Sequence, residues 1–555
     1  MYFLPSHPVM MHFRQAIVVL DKKEYPLIPG KINSFDTFYV DFQHEPSRGN
    51  SGRYALFLHP KQDVLVEKIE LQFELPFSDF SSAVTFAFRS AGDSVEQDFT
   101  AKTKPQPGLF KGDTSFNNIP AGRGLLHAWS YLLFKGSNKQ ILAASTNESA
   151  GFTSLLYDAE RQILTVRKDV GNGLRMTHSF PALDFWWGDG GFAQLQSDLE
   201  IVPKKQQKAL VWSAAAIMGF DQLEQQVEMV AQSGLPFTHF CLGNGWQTQN
   251  GDWIGPKQAP KHQLSALIRS KGLRPALTFS PFTASVQSDL ARQHPDWLVQ
   301  YNGKPILVTT ANGGDAYALD VYHAGVREYI AAVFYQFTER WGFDTFFLED
   351  LSAACAWPKL EKTRGQLMEE ATTLIRSSAG NAYLIAAQVP VGAAIGHYDA
   401  VQMGSPLYRM AKDKLDWLLT GGHLNIQPLL AAQYIRNAHL QIAGNPIALR
   451  STLDKKSARA QYMHLIAQAL CSDILMVSDD LGAYTPELRA ELEEAVFFQQ
   501  ATIVAVSRLL PHCTKIVFEV EGTRYMAYFN WMDKKMRVGD GERGFELEGL
   551  EGLVL

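Results

Sequence analysis

Residues 66–75 and 83–88 carry a two-residue period. Ile69, Leu71, Phe73 and Leu75 alternate with Glu70, Gln72 and Glu74, and Val84, Phe86 and Phe88 repeat the rhythm. Alternation of this kind places one face of a strand in a core and the other in water. Turn signals such as NSG, PQPG and GNG punctuate this part of the chain, the pattern of a large antiparallel sandwich. The charged stretch VPKKQQKA, Val202 to Ala209, is the candidate linker, so a first domain is expected over residues 1–205.

Beyond it the period changes. DQLEQQVEMVAQSG places Leu223, Val227 and Val230 on one helical face, opens with an Asp-x-x-Glu capping pattern at Asp221 and stops at Gly234. THFCLG then reads as a short buried strand. The order recurs in HQLSALIRSKG with LRPALTFS, in VREYIAAVFYQFTERWG with FDTFFLED, and in QLMEEATTLIRSSAG with NAYLIAAQV. Helix, glycine and short apolar strand in repetition predict βα units and a parallel sheet, and residues 206–500 are long enough for a (β/α)8 barrel. KIVFEVEGTRYMAYFNW and GFELEGLEGLVL return to period two, predicting a small antiparallel sheet domain over 501–555.

Composition removes several classes of function. The chain has 555 residues, 46% of them hydrophobic, with a net charge of -6. That balance is globular and offers no basic surface for nucleic acid or anionic lipid. Cys241, Cys355, Cys471 and Cys513 follow no zinc spacing and read as reduced core residues. The 15 histidines include no HExxH pair, so neither a metal nor a cofactor is expected. GDGG at Gly188 to Gly191 lacks a phosphate loop's lysine and the strand-turn-helix setting of a dinucleotide fold, and reads as a turn. MYFLPSHPVMMHFRQ lacks the features of a secretory signal, and no apolar span approaches a membrane helix. A soluble cytoplasmic protein is expected.

The candidate chemistry centres on FDTFFLED. In a buried parallel strand Phe347 and Glu349 share one face, while Phe346, Leu348 and Asp350 share the other. Glu349 is therefore expected on the barrel axis, and Asp350 only if a bulge shifts the register.

Read in order, NGWQTQNGDW, SPFTASVQSDLARQHPDWLV, YALDVY, GFDTFFLED, VPVGAAIGHYDAVQMG and VSDDL resemble the α-galactosidases and raffinose synthases of glycoside hydrolase family 36 (melibiase-like). The resemblance implies an N-terminal β-supersandwich, a central barrel and a C-terminal β-sheet domain. It also implies a retaining mechanism, in which one carboxylate attacks and another about 5 Å away protonates the leaving oxygen. The family's Lys-x-Asp nucleophile tripeptide falls on Phe347, Leu348 and Glu349. Its arginine falls on Gln402 and its acid/base on Pro406. Its paired sugar-binding aspartates fall on Gly243 and Asn244, its strand-end cysteine on Ala387, a tryptophan on Ala214, and its D-P-D turn on Asn445, Pro446 and Ile447.

Glu349 thus holds the nucleophile position and no acid/base is identified. Asn244, Trp246, Asp252, Trp253, Asp320 and Gln402 are the candidate sugar contacts. Trp253 and Trp297 read as packing anchors, and Asp252, Asp296, Asp479 and Asp480 as caps or loop staples. Asp320 stands apart, because it is expected to end a barrel strand. The expected function is a carbohydrate-related protein impaired as an α-galactosidase. The alternatives are an active glycosidase or transglycosidase of altered specificity using Glu349, and a protein-binding scaffold.

Overall fold

In this computed structural model the described residues run from 11 to 555, except 47–49, 77, 79, 90–93, 104, 107, 114, 117–118, 137–138, 202–207, 215–217, 244, 255–260, 311–313, 357–360, 405–425, 437–439, 450–454, 479, 511, 533 and 541–542. Most of the linker, together with Asn244, Pro406 and Asp479, therefore lies outside the described residues.

The N-terminal part is two packed antiparallel sheets, one of seven strands and one of eight. The strand Val64–Glu74 sits inside the first, paired with His12–Leu20 on one side and Ile163–Lys168 on the other. Its alternating Ile69, Leu71 and Phe73 are wholly buried in the core that the two sheets share. GDGG does turn the chain, but between the strand Phe180–Asp189 and the short helix Gly191–Asp198. This corrects the expectation that no helix follows. Gly190 and Gly191 both take positive φ there (86° and 67°), a conformation glycine adopts without steric penalty.

Eight parallel strands then close a barrel: Ala209–Ser213, His239–Leu242, Arg274–Phe279, Thr345–Leu348, Tyr383–Ala386, Ala400–Gln402, Gln441–Ala443 and Ile474–Val477. They are called the first to eighth barrel strands below. Their alternate residues divide cleanly. Val211, Cys241, Ala276, Phe347, Ile385 and Met476 belong to an apolar interior, whereas Trp212, Phe240, Leu277, Phe346, Leu384 and Leu475 face the helical layer.

The helix Phe220–Gln232 buries Leu223, Val227 and Val230 as its period requires. Its cap differs from expectation. Gly219 is the N-cap, and Gln222 Oε1 accepts from the Gly219 N–H at 2.9 Å, so half of a capping box forms, two residues before Asp221. After the third strand the chain makes an excursion instead of a simple βα unit. Thr283–Ser285, Leu307–Thr309 and Asp315–Ala318 form a separate antiparallel sheet. The strand before Asp320 belongs to that sheet and not to the barrel, which overturns the expectation for that residue.

The C-terminal strands Thr502–Leu510, Cys513–Val520, Thr523–Asn530 and Glu551–Val554 make a four-stranded sheet. It packs on the helix Lys455–Cys471 so closely that a Cβ on Gly552 would meet Met463 Cα at 2.9 Å. Among the described residues no helix is long and apolar enough to cross a membrane.

Candidate active site at the barrel mouth

The fourth strand continues in register to Glu349, whose N–H donates to Phe279 O of the third strand at 3.0 Å. Phe347, two residues earlier, is an interior residue, so alternation carries the buried Glu349 side chain to the barrel axis. Its charge is felt by Cys241 on the second strand. That thiol is pushed up to about 12, chiefly by burial, with the Glu349 carboxylate adding to the effect. Thr278 lies beside the same sulfur at 3.4 Å.

Asp350 leaves the strand. It takes the left-handed conformation (φ 53°, ψ 29°) and opens the 3-10 turn Leu351–Cys355, its carbonyl accepting from Ala353 N–H at 2.9 Å. Aspartate tolerates this region better than most side chains. Its Oδ2 accepts from Ser280 Oγ at 2.9 Å. It also supplies negative charge to Arg89 of the N-terminal domain, whose pKa is nonetheless lowered by burial. The two adjacent carboxylates therefore serve different surroundings.

The neighbouring strand ends are neutral. Gln402 Nε2 donates to Gly444 O at 3.1 Å, and Asn445 Nδ2 donates to Met403 O at 2.7 Å. Gln468 donates to Asn445 O at 2.6 Å and accepts from Met476 N–H at 2.7 Å. Where the family resemblance places an arginine and an acidic turn, this chain has amides that stitch the sixth, seventh and eighth strands together. Of the two positions that follow each barrel strand, carboxylates stand after the fourth, at Glu349 and Asp350, and after the eighth, at Asp479, which lies outside the described residues.

The other candidate residues are dispersed around this centre. Trp246 Nε1 donates to Thr278 O at 2.7 Å, and its ring lies edge-on to Phe337 and Trp341, with Lys261 Nζ 5.8 Å from its centroid. Asp252 accepts from the N–H groups of Asp289 and Leu290 at 2.9 and 3.0 Å, holding the start of the helix Asp289–Gln293. Trp253 is fully buried and stacks on Tyr329. Asp320 Oδ1 accepts from Tyr322 N–H at 3.0 Å within its turn. Trp297 stacks on His294 at 4.0 Å and fills the space against Gly325, where a Cβ would approach its ring to 2.7 Å. Asp296 meets His323 at 3.2 Å, and Asp480 caps Gly482 N–H at 3.1 Å. Among the described residues no cluster of three or more His, Cys, Asp or Glu could hold a metal ion.

Sequence reasoning missed the ionic seam behind the mouth. Arg364, fully buried at the start of the helix Arg364–Ala379, meets Asp169 at 3.1 Å, Asp113 at 3.6 Å and Ser115 Oγ, and lies over the Phe116 ring. Its partners stand 195 or more positions earlier, so no local pattern announces them.

Comparison with known proteins places this architecture. The Melibiase family matches residues 203–346, a segment that ends before Glu349. The chain is similar in structure to an α-galactosidase from Thermus thermophilus in complex with p-nitrophenyl α-D-galactopyranoside: TM-score 0.63, 20% identity, 92% of this chain and 98% of that one. It is also similar to a GH36 α-galactosidase from Geobacillus stearothermophilus in complex with 1-deoxygalactonojirimycin: TM-score 0.60, 11% identity, 97% of this chain and 88% of that one. An A type blood α-D-galactosamine galactosaminidase of Flavonifractor plautii is 30% identical over 116 residues, which span 19% of this chain and 11% of that relative. The chain has the melibiase-like fold of glycoside hydrolase family 36: an N-terminal antiparallel sheet domain, a closed parallel barrel and a small C-terminal sheet domain.

Proposed function

We propose that the protein is an α-galactosidase-like, carbohydrate-related protein that is impaired as a retaining α-galactosidase. The observation that carries the reading is that, among the described residues that follow the barrel strands, Glu349 has no second carboxylate beside it but Asp350. A retaining site needs two carboxyl groups about 5 Å apart across the sugar. Here Glu349 stands on the axis, and Asp350 is committed to Ser280 and to the side facing Arg89. The residue at the resembled acid/base position is Pro406, which has no proton to give. Phe347 replaces a hydrogen-bonding lysine below the site with a ring packed among apolar neighbours.

Glu349, Thr278 and Gln402 are suited to hydrogen-bonding a neutral sugar at the strand ends. The working division is 1–205, 206–500 and 501–555, with the sugar at the mouth of the middle domain. Four free, buried cysteines support a reducing, cytoplasmic setting. The axial position of Glu349 also favours the rival reading, an active glycosidase of altered specificity that uses it as nucleophile.

The test is turnover of aryl α-galactosides by the purified full-length chain, beside binding of α-galactosides by calorimetry. Loss of the general acid alone predicts rates lower by roughly 10²–10⁴ than an intact site would give. Binding without turnover supports the reading. Turnover in the ordinary enzyme range of about 1–10³ s⁻¹, abolished in Glu349→Gln, replaces it with the rival.

A further inference from the structure

The helix Lys261–Ser270 lies between the second and third barrel strands and buries Lys261, Leu264, Ser265 and Ile268. Three of these suit the place. Leu264 and Ile268 belong to the apolar cluster of the helical layer, and Ser265 Oγ donates to His262 O at 3.0 Å and to Trp341 O. Lys261 does not fit in this way. It opens the helix, is only 6% exposed, and sets its Nζ 5.8 Å from the centroid of the Trp246 ring. Among the described residues no oxygen accepts a hydrogen bond from this ammonium and no carboxylate pairs with it; burial pushes its pKa below the ordinary lysine range, with no opposing pull from an acid. Residues 255–260, which precede the helix and lie outside the described set, read GPKQAP and bring a second lysine and no acid.

An ammonium withdrawn from water without a counter-charge is unfavourable, and native proteins pair such a group or neutralise it. The position adds to the imbalance. The first-turn N–H groups of an α-helix have no intrahelical acceptor, and the helix dipole places partial positive charge at the same end, where a lysine is disfavoured. The residue before Lys261 is Pro260, whose side chain has no oxygen to cap with. Side chains on a helix lean toward its N-terminus, so the Lys261 ammonium and the first-turn N–H groups point toward one region. That region is reachable. His262 and Gln263 are exposed, and Lys261 Nζ is not among the unpartnered side-chain atoms sealed from solvent, as Gln247 Oε1 is.

We propose that the start of this helix binds a tetrahedral oxyanion, inorganic phosphate or the phosphate of a monoester, held between the Lys261 ammonium and the first-turn N–H groups and walled on one side by the Trp246 ring. Phosphate supplies negative charge and several acceptors where the chain offers only donors and positive charge. A cation would meet the ammonium with no acid to receive it, and a carboxylate has fewer oxygens to share between lysine and backbone. The wall is fixed in place, since Trp246 Nε1 donates to Thr278 O at 2.7 Å and its ring lies edge-on to Phe337 and Trp341. Occupancy ties the loop after the second strand to the helix that follows it, and stabilises the fold by mass action. The site belongs to the helical layer and stands or falls independently of sugar binding at the mouth.

The test titrates sodium phosphate, phenyl phosphate and sodium acetate into the full chain at constant ionic strength, read by thermal shift and calorimetry. Phosphate salts also stabilise proteins by exclusion from their surfaces, so the signal is a saturable shift with heat of binding at one site. Phosphate gives it and acetate does not. Phenyl phosphate binding as tightly as phosphate or tighter assigns the site to a monoester, and weaker binding assigns it to the free anion. Lys261→Met weakens phosphate by about 10–100-fold, the share of one charge-assisted hydrogen bond, and Lys261→Arg retains it. Without phosphate, Lys261→Met is at least as stable as the wild type, because it keeps the side-chain volume and removes an unpaired charge. A structural lysine would give the reverse. No saturable shift with phosphate, an equal response to acetate, a phosphate response unchanged in Lys261→Met, or a Lys261→Met that is destabilised or unfolded without phosphate would each overturn the proposal.

Discussion

The barrel mouth and the seam behind it are built from opposite materials. At the mouth the strand ends of the sixth, seventh and eighth strands are joined by neutral amides, and Glu349 stands above an apolar floor. At the seam, charge is dense and paired. Arg364 holds two carboxylates, and Arg89 feels Asp350. Lys168 sits fully buried in a cage of oxygens. A glycosidase barrel ordinarily concentrates its ionised groups where the sugar reacts. Here Arg364 places a buried cation where one domain meets another, while Lys168 is held within the N-terminal domain and the buried Arg436–Asp473 pair within the barrel. Asp350 shows the division within a dipeptide, since it turns from its axial neighbour toward the seam.

The largest test of this division is removal of the seam's central cation. Arg364→Met leaves Asp113 and Asp169 buried without their counter-charge, and an orphaned buried charge costs about 3–5 kcal/mol. Chemical denaturation of the full chain should show that loss; a change under about 1 kcal/mol would mean the seam is solvated. Burial opposes the charge on Arg364, and Asp169 and Asp113 outweigh it, so the pKa lies above the ordinary arginine value. The next largest effect is steric. In Gly365→Ala the new methyl meets Glu148 O at 2.3 Å and Gly151 Cα at 2.5 Å, backbone atoms that cannot rotate away. Overpacking of this kind costs about 1–3 kcal/mol. Gly444→Ala at the mouth meets the Gln468 side chain instead, at 2.1 Å, so its effect passes through the bonds Gln468 makes to Asn445 and Met476.

What the sequence disclosed follows the same line. Periods of two and of 3.6 are local, so the sandwich strand through Ile69, Leu71 and Phe73 and the helix through Leu223, Val227 and Val230 were legible, as was the interior place of Phe347. The antiparallel excursion was not. Asp320 follows an apolar strand that looks like any other, and only pairing with Thr283–Ser285 and Leu307–Thr309 removes it from the barrel. The seam was illegible for a stronger reason. Arg364 reads as an ordinary first-turn residue, and its partners are close only after two domains have met. Capping was legible in kind but misplaced, because Gln222 supplies to the Gly219 N–H one of the two bonds assigned to Asp221, and glycine has no side chain to supply the other.

A smaller effect at the seam is its response to pH. Burial pushes the Lys168 ammonium down to about 8, against the pull of Glu148, Asp184 and Asp169. The folded value lies below the ordinary 10.5, so between these pH values the unfolded chain binds more protons and stability rises with pH. Burial raises the values of Tyr131 and Tyr157, whose ionisation favours unfolding near and above pH 10, and of Cys241, Cys355, Cys471 and Cys513, whose thiols lower stability within the window from 8 to 9.5 alike in wild type and Lys168 variants. Across it the wild type should gain roughly 1 kcal/mol relative to Lys168→Met, whose own profile falls with the cysteines alone. Parallel pH profiles for the two proteins would place the Lys168 ammonium in contact with water.

The most informative change separates the adjacent carboxylates. Asp350→Ala removes the acceptor for Ser280 Oγ, the negative charge facing Arg89 and a residue type that tolerates φ of 53°. A buried hydroxyl and a partly buried cation lose a partner together, and the expected cost is about 2 kcal/mol. Glu349→Gln keeps the length of the side chain and one oxygen while removing charge from an apolar floor, so its effect on stability should stay within about 1 kcal/mol of either sign. Sugar binding should respond in the opposite order, falling in Glu349→Gln and holding in Asp350→Ala. Denaturation and α-galactoside calorimetry on the same preparations give both readouts. If Glu349→Gln were the more damaging to the fold and Asp350→Ala the more damaging to binding, Asp350 would be the acid that serves the ligand, and the division between mouth and seam would have to be drawn through the other residue.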